Sequence, residues 1–297
     1  MKRLFILIAA AALAPAVFAA TRSVPASYST IQAAVNAAAN GDTIAIANGT
    51  YVEQVNIPST KTGLKLVGAS QTGVKIRATT AATIALTING ADTTVSYLTI
   101  ENTAGETAGQ ALALRVNSKR VEFYRCYMLG WQDTVAIWDG AVVYCSLCEI
   151  RGSVDFIYSG GTAFFSSCNI RQIRSTGGPS TAPSTPQTVT YGFVFSGCTF
   201  NRSSNVANNS STFMRPWRAY GETVVINCSV DSHITAAGWT AWNGNEATCR
   251  AYEYGTKTLA GATVNLSTRA SWCIRLTAAQ AATYTKSNVL GGWAPPL

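Results

Sequence analysis

The 297 residues predict an all-β fold, a parallel β-helix closed at its start by one short helix, on three observations. First, five segments share one signature, an apolar run, then Cys, any residue and an apolar residue: VEFYRCYM, VVYCSLCEI, AFFSSCNI, FVFSGCTF and VVINCSV. Their aligned cysteines, Cys126, Cys148, Cys168, Cys198 and Cys228, are spaced 22, 20, 30 and 30 residues apart, and VSYLTI extends the series upstream with Leu98 in the Cys position. Second, the residue two beyond each Cys (Met128, Ile150, Ile170, Phe200, Val230) is apolar, so it and the Cys share an inward strand face. Third, the segments are rich in β-branched and aromatic residues, with no helical period between them. An antiparallel sandwich gives no reason for one residue to recur at such spacing, whereas stacked coils do.

Taken in chain order, Lys2 and Arg3 precede an apolar run, Leu4 to Ala14, and the small-residue site Val17-Phe18-Ala19. This pattern predicts a signal peptide over residues 1–19, a single domain over 20–297, and export to the extracellular space. The run is too short to span a bilayer, and no membrane association is expected. Ser29-Thr30 ahead of IQAAVNAAANG reads as an N-capped, Ala-rich helix ending at Gly41, placed to cover the open first coil. TIAIANGTYVEQVNI then starts the strands. The longer intervals of the ladder are turns carrying inserted loops, and the Pro/Ser/Thr-rich stretch from Thr176 to Pro186 reads as one of them.

Composition favours one well-buried unit, with 47% hydrophobic and only 12% charged residues. The formal charge of +8 falls to +6 without Lys2 and Arg3, which suits a polyanionic partner. Charge alone does not separate nucleic acid from an acidic polysaccharide, but the positive residues are scattered and form no nucleic-acid patch. Six sequons, at Asn48, Asn201, Asn208, Asn209, Asn227 and Asn265, would accept glycans in a eukaryotic secretory pathway. The ladder cysteines are expected to be free, buried small hydrophobes, leaving Cys249 and Cys273 as the better disulfide candidates among the eight.

The ladder also places chemistry. Asp133 follows Cys126 by seven residues, and Asp155 follows Cys148 by seven. The two acids should therefore occupy equivalent positions on adjacent coils, about 5 Å apart. Gln132 precedes Asp133, and Gln110 lies 22 residues before Gln132. A lone Asp here would be read as a turn cap, but two in register with two glutamines suggest a proton-sharing pair, one member ionised and one neutral. Carboxylates at that spacing also suit a retaining glycoside hydrolase. The glutamines tilt the choice toward ester cleavage, because an amide can donate into the oxyanion of an acyl intermediate, which an oxocarbenium-like transition state lacks. His233, the one histidine, has no G-x-S-x-G partner motif and is expected to be structural. Neither zinc spacing, a calcium cage nor a phosphate loop is evident, so no metal or cofactor is expected.

At these residues the chain resembles the pectin methylesterases of carbohydrate esterase family 8. GQALALRV, GWQDTV, GSVDFIYSG and MRPWRAYGETV stand in that family's order, and DTIAIANGTYVEQV and GWTAWNG look similar too, from about Tyr28 to the C-terminus. The resemblance implies a monomeric right-handed β-helix without cofactors, acting on methyl-esterified homogalacturonan, with proteinaceous pectinesterase inhibitors as further partners. It implies Asp155 as nucleophile, Asp133 as general acid and then base, Gln132 and Gln110 as oxyanion donors, and Arg215 as the residue that orients Asp155. Trp217 would form part of the sugar cleft, with Trp138, Phe156, Trp239 and Trp242 as further aromatic candidates. Many plant precursors carry an inhibitor-like N-terminal domain that is not seen here, so activity after export is expected without propeptide removal. Three positions depart from the family pattern: Met214 replaces the usual Gly before Arg-Pro-Trp, Trp131 the commoner Tyr or Phe, and Ala136 a frequent cleft Tyr. The alternative is a catalytically silent cell-wall binding protein on the same scaffold, its site distorted by Met214.

Overall fold

The computed structural model describes residues 19–297, so the predicted leader lies almost wholly outside the described residues. Among these residues, three sheets of eleven, nine and seven strands stack in parallel, and each coil of the chain visits them in turn. The fold is the expected right-handed parallel β-helix. Its interior is a set of same-face stacks. In the nine-stranded sheet Ile76, Ile100, Met128, Ile150, Ile170, Phe200 and Val230 pair in register one above another. The first six are at most 1% exposed. Phe165 stacks on Phe195 with ring centroids 4.4 Å apart in the same core.

Each Cys-bearing segment is two strands rather than one. A single residue in the left-handed region (Tyr97, Arg125, Leu147, Ser167, Gly197, Asn227) turns the chain between the eleven- and nine-stranded sheets. The Cys or Leu98 comes directly after this bend with its side chain inward. Cys148, Cys168, Cys198 and Cys228 each point a thiol at a carbonyl on the preceding coil, Phe123, Cys145, Phe165 and Phe195, at 3.4–3.5 Å. A small apolar group with a weak donor suits that spot. All eight cysteines are free. That corrects the expectation for Cys249 and Cys273: Cys249 Sγ turns to the Glu246 carbonyl at 3.7 Å, and Cys273 is buried in the core.

The cap also differs in detail. A strand, Thr21–Val24, precedes the helix and pairs with Thr43–Ile46. The helix spans Ile31–Ala37, with Thr30 Oγ1 accepting from Ala33 N–H, and ends before Gly41 because Ala38 is already extended. Glu53 accepts the Ile31 and Gln32 N–H groups at 2.9 Å, so a residue of the next coil closes the helix N-terminus. The stretch Thr176–Pro186 is no simple loop: Pro179–Pro183 is a strand of the seven-stranded sheet. Its two prolines sit at the ends, where a missing N–H is tolerated, and Thr181 bonds the Phe213 carbonyl and the Thr223 hydroxyl. No described helix is long and apolar enough to cross a membrane.

Candidate active site

The site lies on the outer face of the seven-stranded sheet, just ahead of two of its strands. Asp133 precedes Val135–Ile137 and Asp155 precedes Ile157–Ser159, and these strands pair Val135 with Ile157. The two acids are therefore opposite one another on adjacent rungs, about 4.8 Å apart in backbone. Both have positive φ, 59° and 51°. Aspartate tolerates that conformation better than most residues. The turn aims the acids outward while the next core residue, Phe156, points in. Asp133 N–H donates to the Val154 carbonyl at 3.1 Å and Asp155 N–H to that of Pro179 at 2.9 Å, fixing both turns. Gly152 permits this packing: a Cβ there would lie 2.1 Å from Phe156 Cβ and 2.7 Å from the Trp131 carbonyl. Gln110 bridges Gln132 in parallel on the rung before, so the two stack in backbone; Gln110 lines the cleft, and Gln132 is not among its lining residues.

Arg215, just past the strand Thr212–Met214, reaches the acids from two coils further on. Its Nε donates to Asp155 Oδ1 at 2.8 Å and its Nη2 to Oδ2, a bidentate clamp. Trp242 lies over the guanidinium at 4.0 Å. Met214 buries its side chain in the core, so the departure at this position leaves the arginine on its partner. Asp133 and Asp155 are each 5% exposed. Burial, reinforced by the Asp155 charge, pushes Asp133 up to about 7, against the opposing pull of Arg215 and the Gln132 amide. Burial also raises Asp155, and there the Arg215 hydrogen bonds and charge pull directly the other way.

The acids open onto a cleft of about 240 Å³ lined by Gln110, Trp138, Tyr158, Ala182, Trp217 and Trp242. Trp138 and Trp217 meet Tyr158 edge-on at 6.4 and 6.0 Å. Three of the predicted aromatics thus line the cleft, and two do not. Phe156 is fully buried, since it alternates with the outward Asp155, and Trp239 is 3% exposed, packed on Phe213 and Trp272. Both belong to the core. Sequence reasoning missed Tyr158, although it follows Asp155 by three residues and pairs with Ala136, three after Asp133. His233 is buried away from the cleft, and burial holds it down at about 4. A larger hollow, about 450 Å³, lies beside Asp231, Thr258 and Arg269. Its charges are already matched, Asp231 by Arg202 and Arg269 by Glu253.

Fold and site together define a class of protein, a parallel β-helix that carries an arginine-clamped acid pair under an aromatic wall. The chain belongs to the pectinesterase family, whose model, described as Pectinesterase, matches residues 17–293. It is 30% identical over 288 residues to pectinesterase/pectinesterase inhibitor U1 of Solanum lycopersicum, covering 89% of this chain and 49% of that relative. The chain spans about half the length of the first curated relatives it matches. Among solved structures it is similar to a pectin methylesterase from carrot (TM-score 0.84, 27% identity, 96% of this chain and 95% of that one). It is also similar to a pectin methylesterase in complex with a hexasaccharide (TM-score 0.82, 30% identity, 96% and 100%).

Proposed function

We propose that this chain is a carboxylic ester hydrolase that removes methyl esters from homogalacturonan, giving pectate and methanol. The observation that carries this reading is the unequal acid pair: Asp155 held by Arg215, and Asp133 raised to about 7 one rung away. In the first step an Asp155 oxygen attacks the ester carbonyl carbon, and the carbonyl electron pair becomes an oxyanion that Gln132 and Gln110 stabilise. Collapse breaks the bond to methoxide, which takes the Asp133 proton and leaves as methanol. The mixed anhydride remains. Asp133, now a carboxylate, takes a proton from water as the water attacks the sugar carbonyl. The second collapse frees Asp155, and the product acid loses its proton to solvent. Trp138, Trp217 and Trp242 supply flat faces for the sugar rings, with Tyr158 beneath them.

The proposal includes a leader over residues 1–19, a single catalytic unit over 20–297 and extracellular action on the cell wall. It also includes a monomeric state and recognition by proteinaceous inhibitors; two relatives are named pectinesterase/pectinesterase inhibitor. Asn48, Asn208, Asn209, Asn227 and Asn265 are exposed and would be the reachable glycan acceptors. The test is methanol release from esterified pectin by the mature chain and by Asp155→Ala. We expect the variant to lose at least about a thousandfold in rate while still binding pectin. Binding by the unaltered chain with no methanol would mean a silent binder. New reducing ends on unesterified polygalacturonate would mean a glycoside hydrolase.

A further inference from the structure

We propose that Arg115 is a specificity-determining residue of the cleft: it binds the free carboxylate of a galacturonate already de-esterified, next to the sugar whose ester is being cleaved. This rests on the esterase reading above and deepens it.

Arg115 sits between inward Leu114 and Val116 in one strand of the seven-stranded sheet, so its side chain leaves the outer face. Register places it opposite Ala136, which is opposite Tyr158, which is opposite Ala182. Tyr158 and Ala182 of this row line the cleft, and Arg115 lies at the row's N-terminal end, one rung before that of Asp133 and beside the lining Trp138. Its guanidinium carbon is 5.7 Å from the Trp138 ring centroid. Most other half-buried arginines, such as Arg22, Arg77, Arg202 and Arg250, have a carboxylate partner. The Arg115 side chain has no ion pair or hydrogen bond among the described residues, and its Nε is buried without an acceptor. The positive field of Arg115 reaches Tyr158, whereas the influences on Asp133 come from Asp155, Arg215 and Gln132.

A partly buried cation with no anion is costly to maintain, and an arriving carboxylate relieves that cost with a charge-assisted, forked contact. In this chemistry the reacting sugar is neutral and its processed neighbour is anionic, so the anion belongs beside the acid pair rather than on it. Ala136, with a single methyl and itself fully buried, places no large side chain between Arg115 and Tyr158. Arg218 does not compete for this place: it is exposed, stacks on Trp217 at 4.6 Å and donates to the Trp217 carbonyl.

The experiment compares kcat/KM for methanol release on fully and on half-esterified pectin, for the unaltered chain, Arg115→Gln and Arg115→Lys. Arg115→Gln should lower the value on half-esterified pectin about tenfold more than on fully esterified pectin, chiefly through KM. Arg115→Lys, which keeps the charge and loses the fork, should fall between. Equal losses on both substrates, or none, would overturn the proposal. A calorimetric titration of unesterified trigalacturonate, run on the Asp155→Ala background, separates this from the esterase reading. Affinity that depends on Arg115 without any methanol release by the unaltered chain keeps the carboxylate site and removes the esterase. Affinity indifferent to Arg115→Gln removes the site whatever the activity.

Discussion

Burial pushes both Asp133 and Asp155 up, and what separates them is that the Asp155 charge raises Asp133 further while the guanidinium of Arg215 is clamped on Asp155 and merely near Asp133. The pair should titrate as a unit, so its pH behaviour is macroscopic. In the proposed mechanism the first step needs Asp133 protonated, so kcat/KM for methanol release is expected to decline as pH rises through about 7; a rate still climbing well above that would remove Asp133 as the acid. The same raised acid has a cost in stability. Between the unfolded value near 3.8 and about 7 the native chain holds a proton that the unfolded chain has lost, so the contribution of Asp133 is fullest below about 4 and is lost toward neutral pH, while His233, held down at about 4, acts with the opposite sign up to its unfolded value near 6.5. Glu222, buried beside Arg250 and raised to about 7, adds to the fall with the same sign as Asp133. Asp133→Asn should therefore flatten the fall and be the more stable chain at pH 8, by a few kcal/mol at most. Urea midpoints from pH 4 to 8 check this, and a variant with an unchanged slope would refute it. The spacing of Asp133 and Asp155 was legible in the sequence because each keeps its distance from a ladder Cys. Arg215 follows an inserted loop and was placed only by resemblance.

The coils turn between the eleven- and nine-stranded sheets through one residue each, and the occupants of that bend are chemically mixed: Tyr97, Arg125, Leu147, Ser167, Gly197 and Asn227. Of these six only glycine and asparagine suit a left-handed conformation, and for the other four it costs on the order of 1–2 kcal/mol. This is why the bend was invisible in the sequence while the Cys beside it was plain. The inward site constrains size and polarity, but the bend residue faces solvent and any side chain can be forced into it by the stacked coils. Leu147, at φ 54° and 42% exposed, is one of the few large apolar side chains left at the surface. Leu147→Asn should raise stability by about 0.5–1 kcal/mol, read as a higher urea midpoint at unchanged m-value. A lower midpoint would mean that the stacked coils, rather than the residue, carry the bend without strain. Pro179–Pro183 misled for a related reason: proline at the two ends of a strand looks the same in sequence as proline in a loop, and the pairing partners that decide it lie many residues away.

At the scale of the whole molecule two outer faces depart from a polar exterior, the cleft face of the seven-stranded sheet and the covered face of the eleven-stranded sheet. On the outer face of the eleven-stranded sheet Glu122, Tyr144, Phe164, Val194, Val224 and Tyr252 pair in register, one per coil. The C-terminal helices Ala278–Ala281 and Lys286–Val289 lie over this column, with Ala281, Val289 and Leu290 buried against it. The Leu297 N–H reaches Glu122 at 2.9 Å. A strand buried on both faces reads as a continuous apolar run, and VVYCS, TAFFS, FVFS and ETVVI have that character. The signal for a second covered face was therefore present in the sequence, but it was absorbed into the Cys ladder. The C-terminal segment thus acts as a lateral cover, remote from the cleft on the seven-stranded sheet. Leu290→Ala opens a cavity where the cover meets the column and should cost about 2–4 kcal/mol. Because the acid pair stands on a different sheet, kcat for methanol release at low temperature should stay near that of the unaltered chain while the urea midpoint drops and dye binding to exposed apolar surface rises. If activity fell in step with stability well below the unfolding transition, the cover and the cleft would be coupled, and the picture of independent faces on one solenoid would have to be given up.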